Sequence, residues 1–443
     1  MPGTSSPISV TTKLERIAKL ARQAPQMVMT TLGHLIDVDL LREAHRRTRK
    51  DGAVGVDGQT AAEYAANLES NLQSLLERFQ SGAYRAPPVR RVYIPKSDGT
   101  QLRPIGIPTF EDKILQRAVV MVLEAVYEQD FLDCSYGFRP ARSAHQALER
   151  LREGLTKMGG GVVIELDIKS FFDSMSHSHL RSFLDQRVRD GVIRRAIDKW
   201  LNAGVLQAGA VVRPDEGTPQ GGVVSPLLAN VFLHEVLDRW FESEVKPRLA
   251  GEALLIRYAD DAVIVLAKDT DARRVMSVLP KRFGRYGLVL HPEKTRMVPF
   301  RRPCAALTGR GRGTFDLLGF THYWGRSRRG YWIVKQKTAA SRLRRALQAL
   351  KVWCRKNRHA PIVEQQAGLN LKLRGHYGYY GITGNFRALA QMIEGTRRHW
   401  QKWLNRRSQR AHMPWERFQK LLERHPLAKP RVVHSVYRRV ANP

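Results

Sequence analysis

The alternation of apolar and polar positions is clearest in residues 254–266, where two apolar arms flank a polar centre. Leu, Ile and Val residues form both arms, and two adjacent carboxylates, Asp260 and Asp261, lie between them. Short runs rich in β-branched residues, joined by a tight polar connection, predict a β-hairpin. Because Asp tolerates turn geometry, an Asp pair at a hairpin tip is by itself typical of a solvated turn. A metal-binding interpretation needs a third carboxylate from another strand, since divalent ions require several converging oxygens.

A second apolar run, residues 161–168, contains such a carboxylate. Val and Ile residues precede Asp167, so the run predicts a buried strand. An Asp in such a strand is costly unless a metal ion or a buried hydrogen bond compensates it, and both alternatives remain open at this stage. Asp167 is therefore the candidate partner of the hairpin pair, provided that the strand and the hairpin tip meet in space.

A further hairpin is predicted over residues 89–108, with strands that end and begin around a turn at Ser97–Thr100. It would bring Lys96 and Arg103 near each other. A solvated basic pair is the ordinary interpretation of this arrangement. A pair that grips a triphosphate is the alternative, since Arg offers a fork of donors and Lys a point charge.

Apolar spacing along the rest of the chain predicts helices. They are expected over residues 13–21, 61–79, 111–128, 143–157, 178–190, 192–203 and 271–286. A glycine- and proline-rich loop, residues 217–226, leads into a further apolar helix. After residue 335 the pattern changes, and basic amphipathic helices are predicted over 341–358 and 387–407.

Charge is distributed unevenly along the 443 residues. Residues 301–443 carry 32 Lys and Arg against 5 Asp and Glu, a net charge of +27, whereas the preceding 300 residues carry only +6. Six of the eight tryptophans also lie in this C-terminal part. A segment with this charge indicates a polyanionic partner, and nucleic acid is the expected one. A basic membrane-surface domain is the competing interpretation, but no long amphipathic anchor or lipidation signal accompanies the charge.

Cysteine usage and the N-terminal residues indicate the compartment. The three cysteines, Cys134, Cys304 and Cys354, form no Cys-x-x-Cys pair, so neither a zinc knuckle nor a disulfide framework is expected. This usage suits a reducing cytoplasm. Residues 1–26 carry charges throughout, so we expect no secretion signal, no membrane span and no membrane partner.

The order of these motifs resembles that of the reverse transcriptases. Asp167 with Phe171–Asp173, then Thr218–Gly221, then Tyr258–Asp261 are similar to reverse transcriptase motifs in their usual order. Further stretches resemble those of the bacterial group II intron-encoded reverse transcriptases and maturases, namely Gly55–Gly58, Arg103–Pro108, Tyr136–Pro140 and Leu371–Gly381. The similarity covers nearly the whole chain from about residue 40.

This resemblance implies an α+β fold in the form of a right-hand polymerase. Fingers and a palm with antiparallel sheet would be followed by an α-helical thumb that doubles as a maturase domain. We expect an N-terminal helical extension and the start of the fingers in residues 1–80, the fingers and palm in 81–334, and the basic thumb/maturase domain in 335–443.

The resemblance also implies the residues of a polymerase site. Asp167, Asp260 and Asp261 would be catalytic and, with the Ile168 carbonyl, would hold two Mg²⁺ ions. Nucleotide-binding roles fall on Lys96, Arg103, Phe172, Gln220 and Lys294. Phe172 would disfavour a ribose 2′-hydroxyl, and Lys294 would assist the departure of pyrophosphate.

Primer and RNA contacts follow from the same resemblance. The primer or template would be supported by Tyr258, Leu317, Leu318 and Gly319. RNA-binding candidates in the basic part are Arg374, Tyr377, Tyr379 and Tyr380. Core packing is the alternative interpretation of these aromatic residues, because stacking on a nucleobase and packing in a core use the same side chains.

The function implied is RNA-directed DNA synthesis combined with help in splicing and mobility of an intron. The partners would be group II intron RNA, an RNA template, a DNA primer or target and deoxynucleoside triphosphates, in the bacterial cytoplasm. Two alternatives stay open. One is a domesticated reverse transcriptase in DNA repair or phage defence, and the other is a non-catalytic RNA-binding splicing factor. The oligomeric state is left undetermined.

Overall fold

The computed structural model describes residues 7–95, 102–207, 210–212, 217, 221–304, 313–408 and 412–436. The chain divides into two compact units. The first unit consists of Met1–Ala147 and Ile164–Met297, and the second of Leu148–Val163 and Val298–Pro443.

Fourteen α-helices are found in the described residues, and those at Val38–Arg47, Ile362–Tyr380 and Trp415–Arg424 were not predicted. The first ten are α1 (Pro7–Gln23), α2 (Val38–Arg47), α3 (Ala61–Ala66), α4 (Leu68–Ser81), α5 (Phe110–Tyr127), α6 (Ala144–Met158), α7 (His177–Asp185), α8 (Gly191–Leu201), α9 (Ser225–Leu233) and α10 (Asp269–Gly284). The last four are α11 (Ala340–Lys356), α12 (Ile362–Tyr380), α13 (Phe386–Leu404) and α14 (Trp415–Arg424).

The single helix predicted over residues 61–79 is two helices in the structure. Thr60 and Glu63 form a reciprocal capping box that starts α3, and Asn67 then leaves the helical conformation before α4 begins. Asn competes for backbone hydrogen bonds outside helices and favours their ends, which explains the break.

The strands of the described residues form three sheets. They are β1 (Val89–Pro95), β2 (Leu102–Ile107), β3 (Gly160–Leu166), β4 (Val205–Gln207), β5 (Ala210–Val212), β6 (Ala253–Tyr258), β7 (Asp261–Leu266), β8 (Arg296–Arg301), β9 (Phe315–Leu317), β10 (Phe320–Arg326) and β11 (Trp332–Thr338). The strand orders are β2-β1-β4-β5, β6-β7-β3-β8 and β11-β10-β9. Together with the helices they make a mixed α+β fold whose C-terminal region is helical.

The first hairpin is confirmed, with one difference in its sheet. β1 and β2 pair antiparallel, and Arg103 lies opposite Ile94. β1 also pairs with β4, and this pairing is parallel, whereas we expected antiparallel sheet. Parallel neighbours need a long connection, and α5 to α8 lie in the chain between these two strands.

The hairpin predicted at residues 254–266 is also confirmed. β6 and β7 pair antiparallel from Ala253 and Leu266 to Tyr258 and Asp261. The tip therefore consists of only two residues, Ala259 and Asp260, and Asp261 is the first residue of β7 rather than part of the turn.

Each unit has its own apolar core. In the first unit, α5 is buried along most of its length and packs against α1 and α2. In the second unit, α11 and α12 pack on α13 around a core that includes the fully buried Trp400. Within the described ranges, every helix is too short or too polar to cross a membrane.

Candidate active site

The tip of the β6–β7 hairpin has an unusual backbone that a neighbouring loop supports. Ala259 has a φ of 56°, in the left-handed region that residues other than glycine rarely adopt. A Cβ atom on Gly137 would lie 2.3 Å from the Ala259 nitrogen, so only glycine allows the loop to approach this closely. Two backbone hydrogen bonds join the same loop to Arg257. The Tyr136 N–H donates to the Arg257 carbonyl at 2.9 Å, and the Arg257 N–H donates to the Cys134 carbonyl at 2.8 Å.

A buried ion pair lies directly behind this tip. Arg257 and Asp238 have completely buried side chains, and the Arg257 Nε donates to Asp238 Oδ1 at 2.7 Å. The same guanidinium donates to Asn230 Oδ1 at 2.9 Å and to the Ala259 carbonyl at 3.1 Å. The cluster of Arg257, Asp238 and Asn230 therefore holds the strained residue next to Asp260.

This cluster was not predicted from the sequence. Arg257 interrupts an apolar strand, whereas Asp238 lies in His234–Arg239, a π-helical segment of mixed polar and apolar residues that continues from α9. A charge within an apolar strand needs a partner when it is buried, so Arg257 carried a signal and Asp238 did not. Their pairing could not be predicted, because 19 residues of chain separate them.

Asp167 follows β3 and is held by the segment that precedes β8. The Asp167 carbonyl accepts from His291 N–H at 2.8 Å, and the Thr295 hydroxyl lies 3.3 Å from both the N and the O of Asp167. Lys294 Nζ is 3.2 Å from the carboxylate. The Asp167 side chain is 35% exposed, so it is both anchored through its backbone and accessible to a ligand.

The neighbouring carbonyl of Ile168 has a defined direction. Ile168 forms an isolated antiparallel bridge with Leu290. The two hydrogen bonds of this bridge flank Ile168, from Lys169 N–H to the Val289 carbonyl and from His291 N–H to the Asp167 carbonyl, each at 2.8 Å. In such a pair the central carbonyl points away from the bonded neighbour, so the Ile168 oxygen does not face Leu290.

The structure brings Asp167 and Asp260 into electrostatic contact. β3 and β7 are neighbours in one sheet, and Asp167 and Asp260 adjoin these strands. Burial raises the pKa of the Asp260 carboxyl, and the Asp167 carboxylate raises it further, whereas Arg103 opposes the rise. Asp167 and Arg103 therefore both act on the charge of Asp260, and Lys294 joins them through its ion pair with Asp167. Asp261 is exposed at the start of β7.

The carboxylates of Asp167 and Asp260 suit a cation that takes few of its ligands from the protein. In the ranges that the structure describes, no three His, Cys, Asp or Glu side chains gather into a group that could hold a metal ion. Mg²⁺ is commonly held by one or two carboxylates together with waters and substrate phosphates. The Asp167 and Asp260 pair fits that pattern, and the raised pKa of Asp260 marks a carboxylate whose burial the nearby Arg103 and Arg257 do not fully offset.

Phe172 lies on a short turn that follows Asp167 in the sequence. It belongs to a 3₁₀ turn, Phe171–Asp173, and its half-buried ring packs 5.4 Å from the buried ring of Phe171. A Cβ atom on Gly217 would lie 2.8 Å from the Phe172 carbonyl, and one on Gly221 would lie 2.4 Å from the Gly106 carbonyl. Gly217 and Gly221, which belong to the glycine- and proline-rich loop of residues 217–226, thus adjoin the Phe172 turn and β2, respectively. Gln220 and Lys96 lie outside the described residues.

In the second unit, Leu317–Gly319 forms the turn between β9 and β10. Leu317 pairs with Phe320, so Leu318 and Gly319 are its tip, with φ values of 52° and 81°. The Tyr379 hydroxyl donates to the Leu318 carbonyl at 2.8 Å. The Tyr380 hydroxyl lies 2.9 Å from the position that a Cβ of Gly319 would occupy.

The four RNA-binding candidates on α12 differ in their surroundings. Arg374 is exposed. Tyr377 is only 1% exposed and belongs to the core of the second unit. Tyr379 and Tyr380 are half-buried against the Leu318 turn. Arg374 is therefore the candidate whose side chain is most accessible in this structure.

Comparison with known proteins defines the class. The family model for reverse transcriptase (RNA-dependent DNA polymerase) matches residues 94–322, which is more than half of the chain. The chain belongs to the reverse transcriptase family and carries an RNA-dependent DNA polymerase domain. This class of enzyme takes a nucleic-acid template and deoxynucleoside triphosphates and uses divalent metal ions.

Three related proteins show which members of the family this chain is similar to. The chain is 37% identical over 290 residues to Protein YkfC of Escherichia coli, an alignment that covers 58% of this chain and 76% of YkfC. It is 36% identical over 248 residues to the group II intron-encoded protein LtrA of Lactococcus lactis subsp. cremoris, covering 54% of this chain and 41% of LtrA. It is 29% identical over 177 residues to nuclear intron maturase 2, mitochondrial, of Arabidopsis thaliana, covering 31% of this chain and 24% of that protein. The chain therefore spans about three quarters of YkfC and about two fifths of LtrA.

Proposed function

We propose that this protein is an intron-encoded reverse transcriptase that synthesises DNA by nucleotidyl transfer at Asp167 and Asp260, and that its basic C-terminal part binds intron RNA and assists splicing. One observation carries the catalytic part. β3 and β7 are neighbours in one sheet, Asp167 follows β3 and Asp260 precedes β7, and the Asp167 carboxylate adds to the rise that burial causes in the pKa of Asp260, so a divalent cation held by the two carboxylates would relieve their repulsion.

The carboxylates of Asp167 and Asp260 would hold two Mg²⁺ ions, with the Ile168 carbonyl and Asp261 completing the set. The chemistry supplied by the bound ions is activation of the primer 3′-hydroxyl and stabilisation of the leaving pyrophosphate. The cluster behind the tip gives Asp260 a fixed position, because Arg257 donates to the adjacent Ala259 carbonyl. The hydrogen bonds from His291 and Thr295 do the same for Asp167.

Nucleotide binding would fall on cations and an aromatic ring around this pair. Arg103 acts electrostatically on Asp260, and Lys294 forms an ion pair with Asp167, so both cations are within reach of a triphosphate held there. Lys294 would leave the Asp167 carboxylate and pair with the departing pyrophosphate. Phe172 would limit the space beside the sugar. Lys96 and Gln220 are proposed as further nucleotide contacts on the resemblance alone.

Fingers and palm are proposed for residues 81–334, after an N-terminal extension in 1–80. A helical thumb/maturase domain is proposed for residues 335–443, completing the right-hand arrangement. Tyr258 and Leu317–Gly319 would support the primer.

The net charge of +27 in residues 301–443 supports an RNA partner for this part. On α12, Arg374 is the favoured RNA contact because its side chain is exposed. Tyr377, Tyr379 and Tyr380 would contribute by shaping the helix and the Leu318 turn.

The maturase part of the proposal is supported by similarity to LtrA and to an intron maturase, and by this basic C-terminal part. Its test is capture of the native protein from cells with sequencing of the bound RNA. Enrichment of one folded intron that contains the gene supports the proposal. Recovery of only unrelated transcripts would instead favour the domesticated enzyme in repair or phage defence.

The catalytic part is tested by primer extension with Asp260→Asn, which keeps the size of the side chain and removes its charge. DNA synthesis with Mg²⁺ should fall by at least about a thousandfold, while RNA affinity stays within about twofold. Asp51→Asn is the matched control, because it breaks an ion pair with Arg49 in which both side chains are exposed, and it should leave synthesis unchanged. Undiminished synthesis by Asp260→Asn would refute the assignment, whereas a lack of synthesis by the original protein would favour the non-catalytic splicing factor.

A further inference from the structure

The hairpin of β10 and β11 in the second unit is rich in cations and aromatic rings. Residues 320–338 contain five Arg and Lys residues and five aromatic residues, but no Asp or Glu. Among the residues that the structure describes, no ion pair is found for any of the five cations, which are Arg326, Arg328, Arg329, Lys335 and Lys337. Like charges without carboxylate partners repel one another, so the hairpin favours a polyanionic partner.

The tip of this hairpin is ordered by its own contacts. The Ser327 N–H donates to the Tyr331 carbonyl at 2.8 Å, and the Arg326 Nη1 donates to the Gly330 carbonyl at 2.7 Å. The Arg326 guanidinium also lies over the ring of Trp332, 4.3 Å from its centroid. A guanidinium that is already stacked and hydrogen-bonded loses little freedom when it binds an anion, so the tip presents a preorganised cation.

Tyr331 is the exposed aromatic residue of this tip. It is 70% exposed, and it follows Arg328 and Arg329, which are exposed as well. The Tyr331 N–H donates to the Ser327 hydroxyl at 3.1 Å, which fixes the backbone that carries the ring. An exposed ring beside exposed guanidinium groups offers a stacking surface to a base and positive charge to the adjoining phosphates.

Positive charge continues from the tip along one face of the hairpin. Residues that lie opposite each other on neighbouring strands share a face, and Tyr323 lies opposite Lys335. Lys337, two residues further along β11, shares that face, and its Nζ lies 5.2 Å from the centroid of the Tyr323 ring. The other face contains the buried Phe320 and His322. Tyr323, Lys335 and Lys337 therefore form the outer face of the hairpin.

We propose that the β10–β11 hairpin binds an unpaired segment of RNA, with Tyr331 stacked on a base and the cations of the tip and the outer face on the phosphates. This inference rests on the proposed RNA partner of the basic C-terminal part, and it gives that partner a binding surface outside the helices α11 to α14.

Unpaired RNA fits this hairpin better than a duplex or a membrane surface. A duplex hides the faces of its bases in the stack, whereas the bases of an unpaired segment are free to stack on aromatic side chains and guanidinium planes. Membrane-surface elements bury a continuous apolar face. Within residues 320–338, all of which the structure describes, Tyr331 is the single large apolar or aromatic side chain that is exposed.

The charge of the tip is tested by Arg328→Ala combined with Arg329→Ala in the full-length protein. Binding of a fluorescent single-stranded RNA of about twelve nucleotides is followed by anisotropy, without Mg²⁺ or deoxynucleotides. The Kd should rise about tenfold, and the slope of log K against log salt should become shallower by about 1.4, because two phosphate contacts are lost. Arg273→Ala combined with Arg274→Ala is the matched control, since it removes the same charge from adjacent exposed residues of α10. Its Kd should stay within about twofold of the original value.

The ring is tested separately by Tyr331→Ala. The Kd for the single-stranded RNA should rise about tenfold while the salt slope stays unchanged, because stacking releases no counterions. Affinity for fully paired RNA of the same length should change by less than about twofold. Tyr331→Phe retains the ring and should bind the single strand within about twofold of the original protein. All hairpin variants should keep the melting temperature of the original protein, since the altered side chains are exposed.

Three results would overturn the hairpin site. The first is an unchanged RNA affinity in the hairpin variants. The second is a greater loss of affinity for single-stranded DNA, or for phosphatidylglycerol vesicles, than for RNA, which would assign the hairpin to a DNA strand or to a membrane surface. The third is a fall in melting temperature in parallel with the loss of affinity, which would indicate a structural role.

The original protein separates this inference from the proposal on which it rests. If the original protein and the hairpin variants bind the single-stranded RNA equally well, the hairpin site fails and the RNA partner stands. If the original protein does not bind the RNA, the RNA partner in the proposed function fails together with the hairpin site.

Discussion

Two hairpins of this protein have the same strained tip but stabilise it in different ways. Ala259 in the β6–β7 hairpin and Leu318 in the β9–β10 hairpin are both left-handed residues at the first position of a two-residue turn. Arg257 donates a charged hydrogen bond to the Ala259 carbonyl, and the neutral hydroxyl of Tyr379 donates to the Leu318 carbonyl. The chain thus uses a buried ion pair where a carboxylate must be placed, and a neutral hydrogen bond at the other tip.

This difference implies unequal costs of disruption. Removing one partner of a buried ion pair leaves an uncompensated charge in a region of low polarity. Removing a neutral hydroxyl that donates to the carbonyl of Leu318, a half-buried residue, leaves no uncompensated charge. The comparison is therefore tested by breaking each support separately.

The largest effect is expected from Asp238→Ala, which leaves the Arg257 guanidinium buried without its carboxylate. The free energy of unfolding should fall by about 3–5 kcal/mol, measured by urea denaturation. Asp198→Ala is the control, since its pair with Arg181 is at the surface and should cost less than about 1 kcal/mol. Equal losses in the two variants would contradict the comparison.

A double variant distinguishes positioning from stability alone. Asp238→Leu combined with Arg257→Met replaces the pair by apolar groups of similar size, which should recover much of the lost stability. It also removes the donor to the Ala259 carbonyl. DNA synthesis should therefore remain impaired in this stable variant, with a raised Mg²⁺ concentration at half-maximal rate. Recovery of both properties would show that the pair serves stability alone.

A smaller effect is expected from Tyr379→Phe, which removes the hydroxyl that donates to the Leu318 carbonyl. The second unit should lose about 0.5–1.5 kcal/mol of unfolding free energy, visible in thermal unfolding of the full chain. Tyr331→Phe, at a side chain that is 70% exposed, should change it by less than about 0.5 kcal/mol. A loss as large as that of Asp238→Ala would remove the distinction between the two tips.

The sequence predicted the parts of the fold whose information is local. The arms of the β6–β7 hairpin and the basic helices near 341–358 and 387–407 follow from apolar spacing alone, and α11 and α13 confirm those helices within a few residues. The break at Asn67 and the parallel pairing of β1 with β4 were missed. The break depends on the single residue Asn67, and the parallel pairing depends on contacts between strands more than 100 residues apart in the chain.

In the candidate site, too, the local features were predicted and the long-range contacts were not. The residues of the acidic pair could be named from the apolar runs around them, yet their meeting depends on how β3 and β7 pair. The cluster behind Ala259 was missed for the same reason. On α12, the interleaving of aromatic and basic residues suggested RNA contacts, but Tyr379 and Tyr380 adjoin the Leu318 turn. Composition alone cannot distinguish a ring that packs from a ring that stacks on a base.

The central claim is that Asp167 and Asp260 act as one unit in nucleotidyl transfer. A double-mutant cycle on single-turnover nucleotide addition tests it most directly, using Asp167→Asn, Asp260→Asn and the combination. Each single variant should lower the rate by about 10³-fold or more, and the double variant should be no slower than the slower single variant, because either change alone disables the pair. Losses that multiply in the double variant would show that the two carboxylates act independently and would contradict the account.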